Sequence, residues 1–413
     1  MKDSGIEWIG EIPETWEVAL NKFVMTKIKQ IIPKYTGEPI LSLSMTGVHE
    51  RNLDDGGKMP SNFDGYQVVK RGNLLLCLFD IDVTPRCVGY IQADGITSPA
   101  YSQYEVNDNN SAKYYYYYYL MIDNSKILVH LTKSLRNTIN ADQFDNIKAI
   151  VPPKSEQQQI ANFLDRKTTE IDGLIDKINA EIDLLERYKH AAISNAVTIG
   201  IDSNSKLKTS NVDYIPILNS NWRITKLGYI CNKLMRPFNS TDTALICSNQ
   251  GKVIERPDSA SGIMVSGDNA MQGIKNGDIA IHGMDTWHGA IALSNKNGKI
   301  TRVVHVCESI EDNRFIVYYL QHLAFQGVYK LISNGVRGNT SDFRSWEKVK
   351  NIYISIPESM QEQARICDYL DELTSKIDKN INQKQQQINQ LTEYKNSLIF
   401  EYVTGKKQVK EAN

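Results

Sequence analysis

The chain aligns with itself at an offset of 206 residues, half its length of 413, and this duplication restricts its fold more than any local pattern. Ser4, Ile9 and Trp16 return as Ser210, Ile215 and Trp222. Residues 156–198 map without a gap onto 362–404 with 16 identities in 43 positions, among them Glu156/Glu362, Gln157/Gln363, Asp165/Asp371, Asp172/Asp378 and Tyr188/Tyr394. Between these anchors the halves differ almost everywhere. A repeated scaffold with two unlike inserts implies one task performed twice on two different targets.

The repeated stretch reads as helix. Ile160, Leu164, Ile171, Leu174, Ile178, Ile182 and Leu185 recur at steps of three, four and seven, as do Ile366, Leu370, Leu373, Ile377, Ile381, Ile388, Leu391 and Leu398. Pro152, Pro153 and Pro357 close the preceding strands and place the helix starts near Ser155 and Ser359. Such a rod, about 65 Å long at ~1.5 Å per residue, carries one narrow apolar seam and needs a helical partner. The other copy is the expected partner, in an antiparallel pair with the inserts at opposite ends about an approximate two-fold axis. The alternative is that each helix packs on its own domain.

The inserts read as mixed α and β, with strand-like runs at 39–44, 72–79, 277–282 and 299–306 and turns at Asp55-Gly56-Gly57, Asn297-Gly298 and Asn334-Gly335. Propensity makes the run Tyr114–Tyr119 a strand. Its counterpart, residues 312–326, has helical periodicity behind a polar start, so both segments are assigned as helices; a stacking platform for bases is the functional alternative for the tyrosines. The expected class is α+β: two mixed domains, 1–150 and 206–355, and two long helices, 151–205 and 356–413, forming an antiparallel coiled coil with a pseudo-two-fold internal repeat.

Composition excludes several classes. With 41% apolar residues, 23% charged residues and a mean hydropathy of -0.38, the chain is neither mainly disordered nor membrane-like. The opening MKDSGIEWIGEIPE carries acids where a secretion signal needs a basic and then an apolar run, so a cytoplasmic location is expected. Six cysteines without a CxxC pair suggest reduced, buried thiols, with no disulfide framework and no metal site. GxGxxG, GxxxxGK[ST], HExxH and GxSxG are absent, and Val151-Pro152-Pro153-Lys154 lacks the flanking residues with which an amino-methyltransferase grips a flipped base. No cofactor is expected. Asp278, Asp285 and His288 could be imagined as a metal cluster, but read better as turn residues.

With the repeat, the Pro152 to Gln157 and Pro357 to Gln363 segments and the Trp8-Ile9-Gly10 to Trp16 opening in hand, the chain resembles the specificity subunits of type I restriction-modification enzymes over its whole length. The resemblance implies a non-catalytic subunit of a DNA adenine methyltransferase and endonuclease complex serving host defence. Each insert would be a target recognition domain reading one half of a split sequence in double-stranded DNA. The helices would be the spacer and the docking surface for two methyltransferase subunits, and through them for restriction (translocase) subunits. No membrane is involved. The alternatives are a stand-alone DNA methyltransferase or nuclease, and a coiled-coil adaptor of proteins.

A net charge of -1 departs from the basic surface expected of a DNA reader. Residues 1–150 hold 15 Lys and Arg against 18 Asp and Glu, whereas 206–355 hold 18 against 12, so only the second insert is basic. Side chains that match the donor and acceptor pattern of the major groove are the candidate readers. They are Arg51, Asn52, Lys58, Arg86, Lys133, Arg136 and Asn137 in the first insert, and Asn249, Gln250, Lys252, Arg256, His288, Arg337 and Asn339 in the second. Arg136 and Arg337 rank highest because they occupy matching places just before the last strand.

Overall fold

The computed structural model describes residues 1–52, 62–132, 137–257, 267–333 and 343–409. Four helices carry the architecture: α1 (Ala112–Asn124), α2 (Lys154–Thr198), α3 (Asn313–Phe325) and α4 (Met360–Val403). α2 and α4 begin within one residue of the starts expected from the prolines. The tyrosine run is helical, as its counterpart α3 required, with Ser111 and Asp312 accepting from backbone N–H groups as N-caps.

The chain divides into two compact units, Met1–Ile178 with Gln385–Asn413, and Asn179–Lys384. In the first unit β1 is Glu17–Leu20, β2 Met25–Ile28, β3 Leu74–Leu76, β4 Val88–Tyr90, β5 Ser102–Val106 and β6 Lys148–Val151. They form an antiparallel sheet in the order β2-β5-β3-β4, and β6 pairs with β1 through Ala149 opposite Ala19. In the second unit β7 is Trp222–Lys226, β8 Cys231–Leu234, β9 Ile279–His282, β10 Ile291–Leu293, β11 Val304–Ser309 and β12 Tyr353–Pro357. The order β8-β11-β9-β10 and the β7–β12 pair reproduce the first unit strand for strand.

The identities between the copies are the bonds that seat each long helix on its sheet. Trp16 and Trp222 are buried, and their indole N–H groups donate to Glu156 Oε2 (2.8 Å) and Glu362 Oε1 (2.9 Å). Gln157 is fully buried; it accepts from Ser111 N at 2.8 Å and donates to Pro152 O at 2.8 Å. Gln363 does the same with Asp312 N and Pro357 O. Asp165 accepts from Tyr117 Oη, and Asp371 from Tyr318 Oη. A base-stacking role for the tyrosine run is overturned: Tyr114, Tyr115, Tyr117, Tyr118 and Tyr119 are buried, with hydroxyls bonded to Val403 O, Ile150 O, Asp165, Lys148 O and Asn21.

Within each unit the long helices run antiparallel. Phe163 packs on Tyr402 and Asp172 binds Lys395 (2.6 Å) in the first; Glu181 binds Lys384 and Lys189 binds Asp378 (2.5 Å) in the second. The seam differs from the expected spacing at one turn. Leu174 is exposed (48%), while Ile175 packs against the core. The least exposed phase is a strict alternation of four and three: 164, 168 and 171, which are buried, and 175, 178, 182, 185 and 189, which are half-buried. It admits Thr168 and Lys189, polar residues that apolar spacing alone passed over. Replacing Trp16 with Phe removes the donor to Glu156 and is expected to destabilise the first unit by about 1–3 kcal/mol, read as a lower urea midpoint; an unchanged midpoint would contradict the anchoring role.

Candidate nucleic-acid interface

The same two segments meet in each unit. In the first, the loop between β3 and β4 (residues 77–87) is bonded to the chain just before β6: Ile139 N donates to Leu78 O at 2.9 Å and Ile81 N to Asn137 O at 3.2 Å. In the second, the loop between β9 and β10 (residues 283–290) is bonded to the matching stretch by Phe343 N to Gly283 O at 3.0 Å. Gly283 permits this approach, since a Cβ there would lie 2.9 Å from Arg344 Cα and from Phe343 O. His305, fully buried, donates Nε2–H to Phe343 O at 2.7 Å.

Five candidates, Lys58, Lys133, Arg136, Arg337 and Asn339, lie outside the described residues. Of the rest in the first unit, Arg86 and Asn137 border one loop. Arg86 binds Asp123 (3.0 Å) and Asn124 (2.6 Å) and is largely enclosed. Asn137 adopts φ +43° and its Oδ1 accepts from Thr132 Oγ1 at 2.9 Å. Arg51 and Asn52 follow the strand Gly47–Glu50, with Arg51 half-buried and near Tyr101, whose ring lies 6.2 Å from Phe79 in the same loop.

In the second unit Asn249, Gln250 and Lys252 occupy a turn closed by Ser248 N to Lys252 O at 2.9 Å. Asn249 O lies beside Gly289, so the turn at Asn249 approaches the loop that carries the exposed His288. The turn abuts α3, because a Cβ on Gly251 (φ +69°) would reach within 2.4 Å of Gln321 Nε2. Lys252 Nζ lies 3.9 Å from Asp378. Arg256 is set apart at the far end of this hairpin, its N–H donating to Ala244 O. Asp278 is bound by both Arg236 Nε and Nη2 at 2.8 Å, and among the described residues no group of three His, Cys, Asp or Glu side chains could hold a metal ion.

Sequence reasoning missed the buried and half-buried histidines of the second unit. Burial pushes His282, His305 and His190 below the ordinary imidazole range, and His322, on α3 and 2.8 Å from Ser194 Oγ of α2, is pushed down to about 4. A depressed folded-state value means that stability is full above about 6.5, the unfolded value, and is lost as pH falls toward 4. The second unit is therefore expected to lose stability across that window, and His322→Gln to flatten the profile, as followed by thermal melting at stepped pH. A profile unchanged by the substitution would count against it.

A duplicated sheet frame with unlike loops at one repeated place defines a tandem scaffold of two related units. The family model for the type I restriction modification DNA specificity domain matches residues 87–184 and 219–390. The chain belongs to that family. It is 25% identical over 295 residues to the type I restriction enzyme MjaVIII specificity subunit of Methanocaldococcus jannaschii, covering 65% of this chain and 64% of that protein. A putative type I restriction enzyme MjaX specificity subunit of the same organism is 31% identical over 93 residues, 22% of this chain and 20% of the relative. The chain thus spans just under two thirds of the first relative's length and one fifth of the second's. A solved chain from a study of type I R-M system assembly and conformational transition shares the fold, with a TM-score of 0.67 at 13% identity, covering 95% of this chain and 98% of that one.

Proposed function

We propose that this protein is the non-catalytic DNA-recognition subunit of a type I restriction-modification complex, in which each unit reads one half of a split target. The observation that carries this reading is the repetition of one six-strand frame with different loops joining β3 to β4 and β9 to β10. Identical frames answer to a partner met twice; divergent loops answer to two different sequences. The basic balance of residues 206–355 supports direct phosphate contact there, while the acidic first insert relies on partner subunits for part of the backbone neutralisation.

Two methyltransferase subunits are the proposed partners, and restriction subunits join through them. Tyr188 and Tyr394 hold the same position in the two copies and are 55% and 56% exposed, as are Phe23 and Tyr229 at 66% and 77%. Aromatic side chains left open twice at equivalent places fit a partner that is present twice. No helix among the described residues is long and apolar enough to cross a membrane, and work on chromosomal DNA assigns the subunit to the cytoplasm.

Exchanging residues 20–145 for the matching region of a relative, in cells that also express the methyltransferase, is expected to change one half of the methylated sequence and leave the other intact. Methylome sequencing reads the outcome. A change in both halves would refute independent reading heads. Labelled methyl transfer by the purified chain alone would favour a stand-alone methyltransferase, and absence of sequence-selective DNA retention by the assembled complex would favour a protein adaptor.

A further inference from the structure

The first unit stores its backbone strain in one place. Asp80 (φ +46°), Lys126 (φ +51°) and Asn137 (φ +43°) are the non-glycine residues in left-handed conformation among the described residues, and they converge. Asp80 O accepts from Thr84 N at 2.9 Å and from Val83 N at 3.1 Å, Lys126 Nζ donates to Thr84 O at 3.2 Å, and Asn137 O accepts from Ile81 N at 3.2 Å. Such conformations persist only where the surroundings over-determine them, and they cluster at functional sites. Here the determinant is Asp123 at the end of α1. Its side chain is 2% exposed and accepts from Cys87 N (2.9 Å), Arg86 Nη1 (3.0 Å) and Lys126 Nζ (3.4 Å).

What this frame holds is an exposed tip. Val83 is 74% exposed, Asp80, Asp82 and Pro85 are exposed, and neither Asp80 nor Asp82 has an ion-pair partner among the described residues. Core packing does not account for presenting these side chains to solvent on a bonded loop. The loop occupies the position of residues 283–290 in the second unit, which carry the exposed His288 and where Asn249 O lies beside Gly289. A carboxylate repels phosphate, so this tip does not follow the DNA backbone. It can accept from a base-edge amino group in the major groove, cytosine N4 or adenine N6, while an exposed valine suits a thymine methyl.

We infer that the elbow at residues 79–85 is the base-reading tip of the first unit, with the Asp82 carboxylate as acceptor for a base amino group and Asp123 as its positioning residue. This inference rests on the DNA-recognition reading above. It also assigns Arg86, whose guanidinium is taken up by Asp123 and Asn124, to holding the loop.

The test uses the full chain with its methyltransferase partner and a duplex library in competition binding, with methylome sequencing in parallel. Asp82→Asn is expected to relax or switch the preference at one position of the first half-site by about tenfold, leaving the second half-site unchanged. The base lost identifies the donor, cytosine or adenine. Asp123→Asn is expected to erode discrimination over the first half-site alone, with the second half-site and the melting temperature of the second unit intact. Glu105→Gln, which removes one exposed acid elsewhere in the same insert, is expected to raise binding to all duplexes alike. If Asp82→Asn behaves as Glu105→Gln does, the inference is overturned; since Asp82 is exposed, this holds even if Asp123→Asn fails to fold. If the unsubstituted complex does not discriminate among duplexes, it is the broader DNA-recognition reading that fails.

Discussion

Each long helix depends on a pair of adjacent polar side chains at its start. Glu156 and Glu362 take the indole N–H of a buried tryptophan, and Gln157 and Gln363, fully buried, satisfy the backbone on both sides of the strand-to-helix junction. A buried amide left unpaired costs more than a typical hydrogen bond contributes, so the glutamine demands one geometry of strand, junction and helix. The direction in which α2 and α4 leave their sheets follows from it. That this network appears twice explains why the Glu-Gln pair survives in two halves that otherwise share little.

Along the helices, selectivity comes from polar residues placed in an apolar seam. Lys189 meets Asp378 and Lys395 meets Asp172, the same pair of positions used in each unit with the roles of the helices exchanged. Exposed ion pairs contribute little to stability. Half-buried within a two-helix seam, however, they penalise every register that leaves a lysine facing isoleucine, which is the best-attested use of polar seam positions. Thr168 and Thr374 instead face Tyr117 and Tyr318 of α1 and α3, and so place each long helix against its own domain. Stability and register thus come from different residues on one stripe.

The inserts show how a constant frame tolerates changing loops. Strand order and the bonds that hold the helix are the same in both units, but the loops joining the third and fourth frame strands are restrained by unlike means. In the first unit a buried carboxylate, Asp123, gathers three donors. In the second, Gly283 and the buried His305 close on Phe343. Both devices sit on frame elements, Asp123 on α1 and His305 on β11, and they bond to the loop and its neighbour and not to the Glu-Gln anchors, so loop residues can change while the anchors stay.

The duplication, the four helices and the helical nature of the tyrosine run were readable from the sequence, because periodicity and self-similarity are local and survive without knowledge of packing. The family resemblance followed from the same ordered landmarks. Tertiary structure alone decided the seam phase that exposes Leu174 and turns the half-buried Ile175 inward, the capture of Arg86 by Asp123, and the approach of the turn at Asn249 to the loop at Gly289. Composition could nominate arginine, asparagine and lysine as readers, yet it had no means to see that Arg86 is bound by Asp123 and Asn124, or that Asp82 is exposed without an ion-pair partner among the described residues. These outcomes depend on contacts between residues tens of positions apart, which are set by how the sheet and helices close around a shared core and carry no signature in the chain itself.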